Sequence, residues 1–557
     1  MHCSDVGPDT PSAHAATARR VVETGAPAPD AAGHRPATGK DAGASLPAQL
    51  GRASTWGFAG RTVLLLAKFG SAPFTIRLLG PSAYGLWALV QTILVWAQPS
   101  EAGQWAATTK YGAERYAAGD APGESEVIWS GLCFVLMTAG SVAVALALGA
   151  HLLLGLLHVR SDLVGAGTWA LRVACATLVV SSLAGAVNTA QQVRLRWRQY
   201  TVFNVSSNLL LSIGVPLALF AFSGEVVTAA IVGLIGSLVY FVGLSWDALR
   251  ALPVLRRPRV GAPTLRRLAS YGWPLALAAL ASAVLGTGER FFLAANASTT
   301  ALAYYAVAMT VATALEVLPQ QVYAPLMPAL SRLQAEHKDE DHRALYAKSL
   351  AGLFLVLAPA AILVAFVARP FLSLWAGPLY GAHGADLLLV ALVGMSASAL
   401  AAVPNAYLLA AGKTKVLAAL QGSELPCYLG AAWVLTTRWG ALGAAIVWSA
   451  RLVVDSAAQF VIARRSAGLP VLPLSARRLR SAAAPAALGA ACIALAMVTQ
   501  GLLDRSSVAV ALIATYAAVV WWFVLTQRER QGVSGLLAEM VGRDSRLRRM
   551  QPTQALR

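Results

Sequence analysis

Residues 56–90 read WGFAGRTVLLLAKFGSAPFTIRLLGPSAYGLWALV. A helix that crosses a bilayer needs about 20 apolar residues in a row, and residues 54–76 supply such a run. Leu79-Gly80-Pro81-Ser82 then reads as a tight turn, because Gly and Pro punctuate helices, and a second apolar run opens at Tyr84. Two cations, Arg61 and Lys68, lie inside the first run. Charge at bilayer depth is costly and calls for a partner or a task. Two helical turns separate the pair, so both fall on one face, roughly 10 Å apart along the axis.

The same kind of apolar run recurs to Thr526. Of 557 residues, 57% are hydrophobic and 13% charged, and mean hydropathy is +0.60. A soluble domain carries about twice that charge. A β-barrel would alternate apolar and polar residues, whereas these runs are continuous. The fold class expected is an all-α polytopic membrane protein with about 14 transmembrane helices. The expected spans are 54–76, 84–107, 128–149, 168–191, 201–222, 226–246, 271–295, 300–325, 349–368, 385–410, 415–435, 440–462, 482–500 and 507–526. Residues 1–53, rich in Ala, Pro and Gly, read as a disordered tail, and residues 1–50 contain no apolar segment of the signal-peptide kind.

Charge orients the chain. Loops after even-numbered spans carry 22 Lys and Arg, from Lys110 to Arg480. Loops after odd-numbered spans hold 5: Arg77, Arg160, Arg369, Arg438 and Arg505. The positive-inside rule then places both termini in the cytoplasm. This distribution also accounts for the net charge of +18 without nucleic acid. The final segment, 527–557, is basic; a short amphipathic helix on an anionic leaflet and a solvated tail stand as equal readings of it.

The long connections at 247–270 and 463–481 divide the spans into six, six and two. Ala83–Thr92 aligns with Ala301–Thr310, and at the same offset Pro99 and Glu101 fall beside Glu316 and Pro319. Two blocks of six spans have the same topology, so they form parallel repeats about an axis along the membrane normal. The expected organisation is an N-terminal six-helix lobe (54–249), a linker (250–270), a C-terminal lobe (271–465), two further helices (466–526) and the tail (527–557). Prolines inside spans, among them Pro73, Pro359 and Pro404, mark kinks.

The first block holds Arg61, Lys68 and Arg172 against Glu101. The second holds Arg290 and Arg451 against Glu289, Glu316, Glu424 and Asp455. Arg172 lies one turn inside a span end and reads first as a snorkelling anchor. Arg451 and Asp455, four apart, suit an intrahelical ion pair; a transport role is the competing reading. Glu289 and Arg290 point about 100° apart, so each needs a partner from another helix. A cationic block suits an anionic head group such as a diphosphate, and the acids suit ion coupling or structural pairing.

Other signals fall away. Gly412-Lys413-Thr414 lacks the first glycine of a phosphate loop, since Tyr407 stands there. His337 and His342 lie in a charged loop, and Asn296-Ala297-Ser298 sits in a very short one. Cys3, Cys133, Cys175, Cys427 and Cys492 are scattered and suggest neither disulfides nor a metal site. No catalytic constellation, cofactor motif or nucleotide-binding domain is expected, and the chain reads as a non-enzyme.

Ile76-Arg77-Leu78-Leu79-Gly80-Pro81-Ser82-Ala83-Tyr84-Gly85-Leu86-Trp87, then Lys110–Asp120, then Glu289–Leu293 through Tyr304-Tyr305-Ala306, resemble bacterial polysaccharide (O-antigen-type) flippases. These form part of the multidrug, oligosaccharidyl-lipid and polysaccharide exporter superfamily. The resemblance covers about residues 54–465. It implies two lobes around a central cavity, a rocker-switch cycle, and a polyprenyl-diphosphate-linked glycan as cargo, moved across the bacterial cytoplasmic (inner) membrane. It implies Arg61, Lys68 and Arg290 as diphosphate ligands. Expected partners are the lipid-linked glycan, membrane lipids, and a polysaccharide polymerase with glycosyltransferases. Two other functions compete: a cation-coupled drug antiporter of the same superfamily, whose N-terminal half should be acidic, and a non-transporting scaffold of a glycan assembly complex.

Overall fold

In hydrocarbon every backbone polar group must be satisfied within its own segment, so long apolar runs form helices. The computed structural model describes residues 46–222, 225–336 and 338–467, and parts of 484–495 and 502–534; side chains are described from Val63 onward, with Ser100–Ala102, Ala324, Leu502, Leu503, Ser506, Phe523 and Val524 excepted. Residues 1–55 and Trp56–Arg557 are separate units, and the membrane architecture belongs to the second. The helices are α1 (Leu46–Ala97), α2 (Pro99–Ala117), α3 (Ala121–Leu156), α4 (Ser161–Val187), α5 (Thr189–Val193), α6 (Trp197–Ala221), α7 (Val226–Ala251) and α8 (Ala262–Asn296). They continue as α9 (Thr299–Ala314), α10 (Val317–Ala335), α11 (Asp339–Trp375), α12 (Pro378–Ala410), α13 (Thr414–Ala467) and α14 (Leu502–Val519). Ten segments among the described residues are long and apolar enough to cross a membrane, so this is a multi-pass membrane protein.

Two of these helices each carry a pair of expected spans. α1 breaks at Gly80 (φ 71°, ψ 169°) and α13 at Gly440 (φ 53°, ψ −128°). Both conformations are nearly closed to residues with a Cβ, which is why a glycine stands at each break. The expected spans through residue 462 all fall on described helices. α1 begins at Leu46, inside the stretch expected as tail, and α8 begins at Ala262, inside the expected linker. Residues 1–45, residues 468–481 of the second connection, about half of the span 482–500 and most of 527–557 lie outside the described residues.

The repeat is visible in the helix boundaries. Ser82 Oγ and Thr300 Oγ1, 218 residues apart, meet at 3.0 Å. At that same spacing Pro99 and Val317 open α2 and α10, Ala117 and Ala335 close them, and Ala121 and Asp339 open α3 and α11. Equivalent residues touch where a two-fold axis passes, and Ser82 and Thr300 do so.

Between helices in lipid the hydrophobic drive is missing, so small residues and polar contacts hold them together. At the Gly80 end one core joins both halves of the chain, with Ile76, Leu86, Leu154 and Leu171 packed with Leu302, Tyr305 and Leu388. Further along, Gly103 of α2 lies so close to Gly272 of α8 that a Cβ there would fall 1.9 Å from the Gly272 carbonyl oxygen. At the opposite end Thr264 of α8 donates to Glu126 of α3 (2.6 Å). There too Arg194 pairs with the buried Glu124 (2.9 Å), and Arg196 with Asp247 (2.9 Å).

Candidate functional site

The cations of α1 lie on a polar stripe. Arg61, Lys68, Ser71 and Thr75 fall within about 80° of one another on a helix of 3.6 residues per turn. Leu66 and Phe74 are exposed on other faces. Ser71 Oγ donates to the Lys68 carbonyl (3.4 Å) and Thr75 Oγ1 to that of Ser71 (3.4 Å), which satisfies both hydroxyls within the helix. Lys68 is exposed and forms no ion pair with another described residue. The side chains of Arg61 and Glu101 lie outside the described residues.

The charges of the second half come together in one network. Glu289 of α8 is 0% exposed and accepts from Tyr305 of α9 (2.9 Å) and from Tyr428 of α13. It therefore finds partners on other helices, as its burial requires. Arg290 approaches the same carboxylate through Nε at 3.6 Å and is 23% exposed. Tyr84 of α1 lies within range of its charge. One turn away, Trp96 of α1 donates to Thr287 (2.9 Å) and packs on Phe291 at 4.3 Å. Arg290 thus stands where the two halves of the chain meet.

Tyr428 carries the network onward, since Arg451 lies over its ring at 5.6 Å. Arg451 pairs with Glu424 at 3.7 Å, and Asp455 faces Glu424 in turn. The Asp455 carboxylate accepts from Gln459 (3.0 Å), whose own oxygen accepts from Asn405 of α12 (3.2 Å). Both Glu424 oxygens and Asp455 Oδ1 are buried without a hydrogen-bond partner. Two cations and three acids share this cluster, so it carries one negative charge in excess when all are ionised.

The expected intrahelical pair Arg451–Asp455 is replaced by Arg451–Glu424. Long helical side chains lean toward their helix N-terminus, which carries the Arg451 guanidinium away from position 455. A cation placed N-terminal to the acid is the weaker order for an i,i+4 pair. Glu316 joins nothing in this cluster: it is exposed at the break between α9 and α10 and pairs with no described residue. Arg172 donates to the Ala147 carbonyl (3.3 Å) and lies over the exposed Trp169 ring at 5.1 Å, as an anchor does. Sequence reasoning missed Tyr305, Tyr428, Gln459 and Asn405. Charge counting passes over neutral donors, although Tyr305 sits inside the repeated segment Ala301–Thr310.

Two clefts of about 270 Å³ are lined by neither Lys68 nor Arg290. Pro73, Arg77, Leu374 and Trp375 help line one; Tyr111, Arg115, Thr264 and Arg267 help line the other. Among the described residues no three His, Cys, Asp or Glu side chains gather to hold a metal ion.

The chain is similar to known proteins in sequence and in fold. Residues 124–381 match the model of a polysaccharide biosynthesis protein family. The matched region contains Glu289–Ala306, one of the three segments that suggested the resemblance. A Shigella flexneri relative, provisionally named an O-antigen transporter, is 27% identical over 261 residues, 46% of this chain and 61% of the relative. The match therefore spans less than two thirds of that relative's length. The solved lipid II flippase MurJ, in an inward closed conformation, superposes with TM-score 0.65 at 11% identity, over 84% of this chain and 98% of that one. An inward-facing multidrug resistance MATE family transporter of the MOP superfamily gives 0.60 at 15% identity, over 74% and 98%. At these identities the likeness is one of fold. The expected resemblance to bacterial polysaccharide and O-antigen transport proteins is borne out.

Proposed function

We propose that the chain is a membrane transporter that flips a polyprenyl-diphosphate-linked oligosaccharide from the inner to the outer leaflet of the bacterial cytoplasmic membrane, with both termini cytoplasmic. The observation that carries this reading is the placement of the cations. Lys68 lies on the polar stripe of α1 with no described acid paired to it, and Arg290 stands at the junction of the two halves. A diphosphate is the anion such a pair suits: Arg offers a planar fork of donors and Lys a compact point charge. Arg61 extends the same stripe. The six-helix lobes 54–249 and 271–465 would move against each other, parting and closing at the Ser82–Thr300 contact and exposing this surface to one side at a time.

The acid surplus in the second half fits energy coupling. Glu424 and Asp455, with unpartnered oxygens beside Arg451, can take up a proton or a small cation, and Glu289 can relay the change to Arg290. Such coupling works only if the ion binds the two transport states unequally. The cargo is moved and not altered, so the reading requires no catalytic step. Glycosyltransferases would supply the cargo and a polymerase would receive it.

Replacing Lys68 by Ala at equal protein level tests the central assignment. Loss of one charge-assisted contact corresponds to about tenfold slower translocation of the lipid-linked glycan. Unchanged translocation would remove Lys68 from the site. Deletion of the chain distinguishes the drug antiporter, because the flippase reading expects loss of a surface polysaccharide with unchanged drug susceptibility.

A further inference from the structure

Proline at position i lacks the N–H that would pair with the carbonyl of residue i−4, and within a membrane a neighbour must satisfy that carbonyl. α11 contains Pro359 and Pro370, which free the carbonyls of Leu355 and Phe366. α14 supplies a donor to each. Tyr516 Oη donates to the Leu355 oxygen (2.9 Å) and Arg505 Nη1 to the Phe366 oxygen (3.1 Å). The acceptors and the donors are separated by equal stretches of chain, and the two helices run antiparallel. Phe366, Leu363, Ala509 and Leu512 pack between them, and Arg505 lies over the Phe366 ring at 5.6 Å. The other repeat has no such requirement. α3, the counterpart of α11, has Ser141 and Leu152 where α11 has its prolines, and its only proline is in its first turn.

α11 ends in a clasp on α1. Trp375 Nε1 donates to the Phe69 carbonyl (3.1 Å), which Pro73 leaves free, and the Trp375 and Phe69 rings lie 5.1 Å apart. In return Arg77 donates to the Leu374 carbonyl. We infer that α14 is a splint that braces α11 at its two prolines and thereby holds Trp375 in place to close α1 against α11 at the Gly80 end. The C-terminal helix, outside the two repeats, then sets how readily this end opens. The consequence for transport rests on the alternating-access reading above; the splint itself does not.

The test is a double-substitution cycle with closure as its readout. Cysteines placed at Ser82 and Thr300, whose oxygens meet at 3.0 Å, report closure through the rate of disulfide formation. Peptide mass spectrometry of the full-length protein in lipid follows that rate. Tyr516→Phe removes one hydrogen bond and should slow cross-linking about fivefold. In a Pro359→Ala background the new backbone N–H already pairs with the Leu355 carbonyl, so Tyr516→Phe should change nothing further. An equal effect in both backgrounds, or none in either, overturns the splint. Arg505→Leu with Pro370→Ala forms an independent second cycle that decides the question if the first set fails to fold. The readout needs no cargo, so a failed cycle alongside a slowed Lys68→Ala variant counts against the splint alone, and the reverse counts against the flippase reading alone.

Discussion

Arg451 and Glu424 are 13% and 9% exposed, and the acid has Asp455 beside it as well. Removing the cation leaves two carboxylates facing each other in a low-dielectric setting. Arg451→Ala should destabilise the protein by about 3 kcal/mol, read as a lower midpoint of thermal unfolding in detergent. Arg451→Ala with Glu424→Gln should recover most of that loss, because the uncompensated charge goes with the cation. A single variant as stable as the parent would mean that Arg451 does not neutralise this cluster. Tyr428 occupies the hinge position of the network, donating to Glu289 while its ring lies under Arg451. Tyr428→Phe should leave the ring contact and cost about 1–3 kcal/mol through the weakened solvation of the buried Glu289, measured in the same assay.

At the scale of elements, glycines decide where helices turn and how near they come. Gly80→Ala forces a Cβ into φ 71°, ψ 169° and should cost about 1–3 kcal/mol. Gly70→Ala, in the same helix with open space around it, should be neutral or slightly stabilising. Gly103→Ala meets the backbone of Gly272 and cannot be absorbed by a rotamer change. α2 and α8 must then separate, which should show as a lower unfolding midpoint and faster proteolysis of the 252–261 connection. If Gly70→Ala and Gly103→Ala behave alike, close approach at position 103 is not needed for folding.

The whole molecule sets which acids can make transport depend on pH. Glu336, between α10 and α11, accepts from Lys338 and Arg332, which lower its pKa from the ordinary 4.5 to about 2. A depressed folded value means that its contribution is present above the ordinary value and is lost only as pH falls toward about 2, so it is constant across neutral pH. Any pH dependence between about 5 and 8 must come from other groups. Glu424→Gln is expected to flatten the pH profile of glycan translocation, and Glu336→Gln to leave it unchanged. The opposite pattern would place the coupling acid outside the membrane-depth network.

Apolar runs of bilayer length, positive loops and the Ala83/Ala301 correspondence were sufficient by themselves for the fold class, the spans to residue 462 and the repeat. Each of these is a periodic or compositional property, and the bilayer allows little other than helices. The stretch 56–90, with Lys68, Pro73, Arg77 and Gly80, already held the polar stripe, the kink and the turn. Partnerships were not legible. That Arg451 chooses Glu424 over Asp455, that Glu289 is satisfied by two tyrosines, and that Trp375 and Tyr516 fill carbonyls freed by Pro73 and Pro359 were decided only by tertiary structure. The reason is physical: a proline or a buried charge announces an unmet requirement in sequence, but what meets it is a group far along the chain, placed by packing and not by any short spacing.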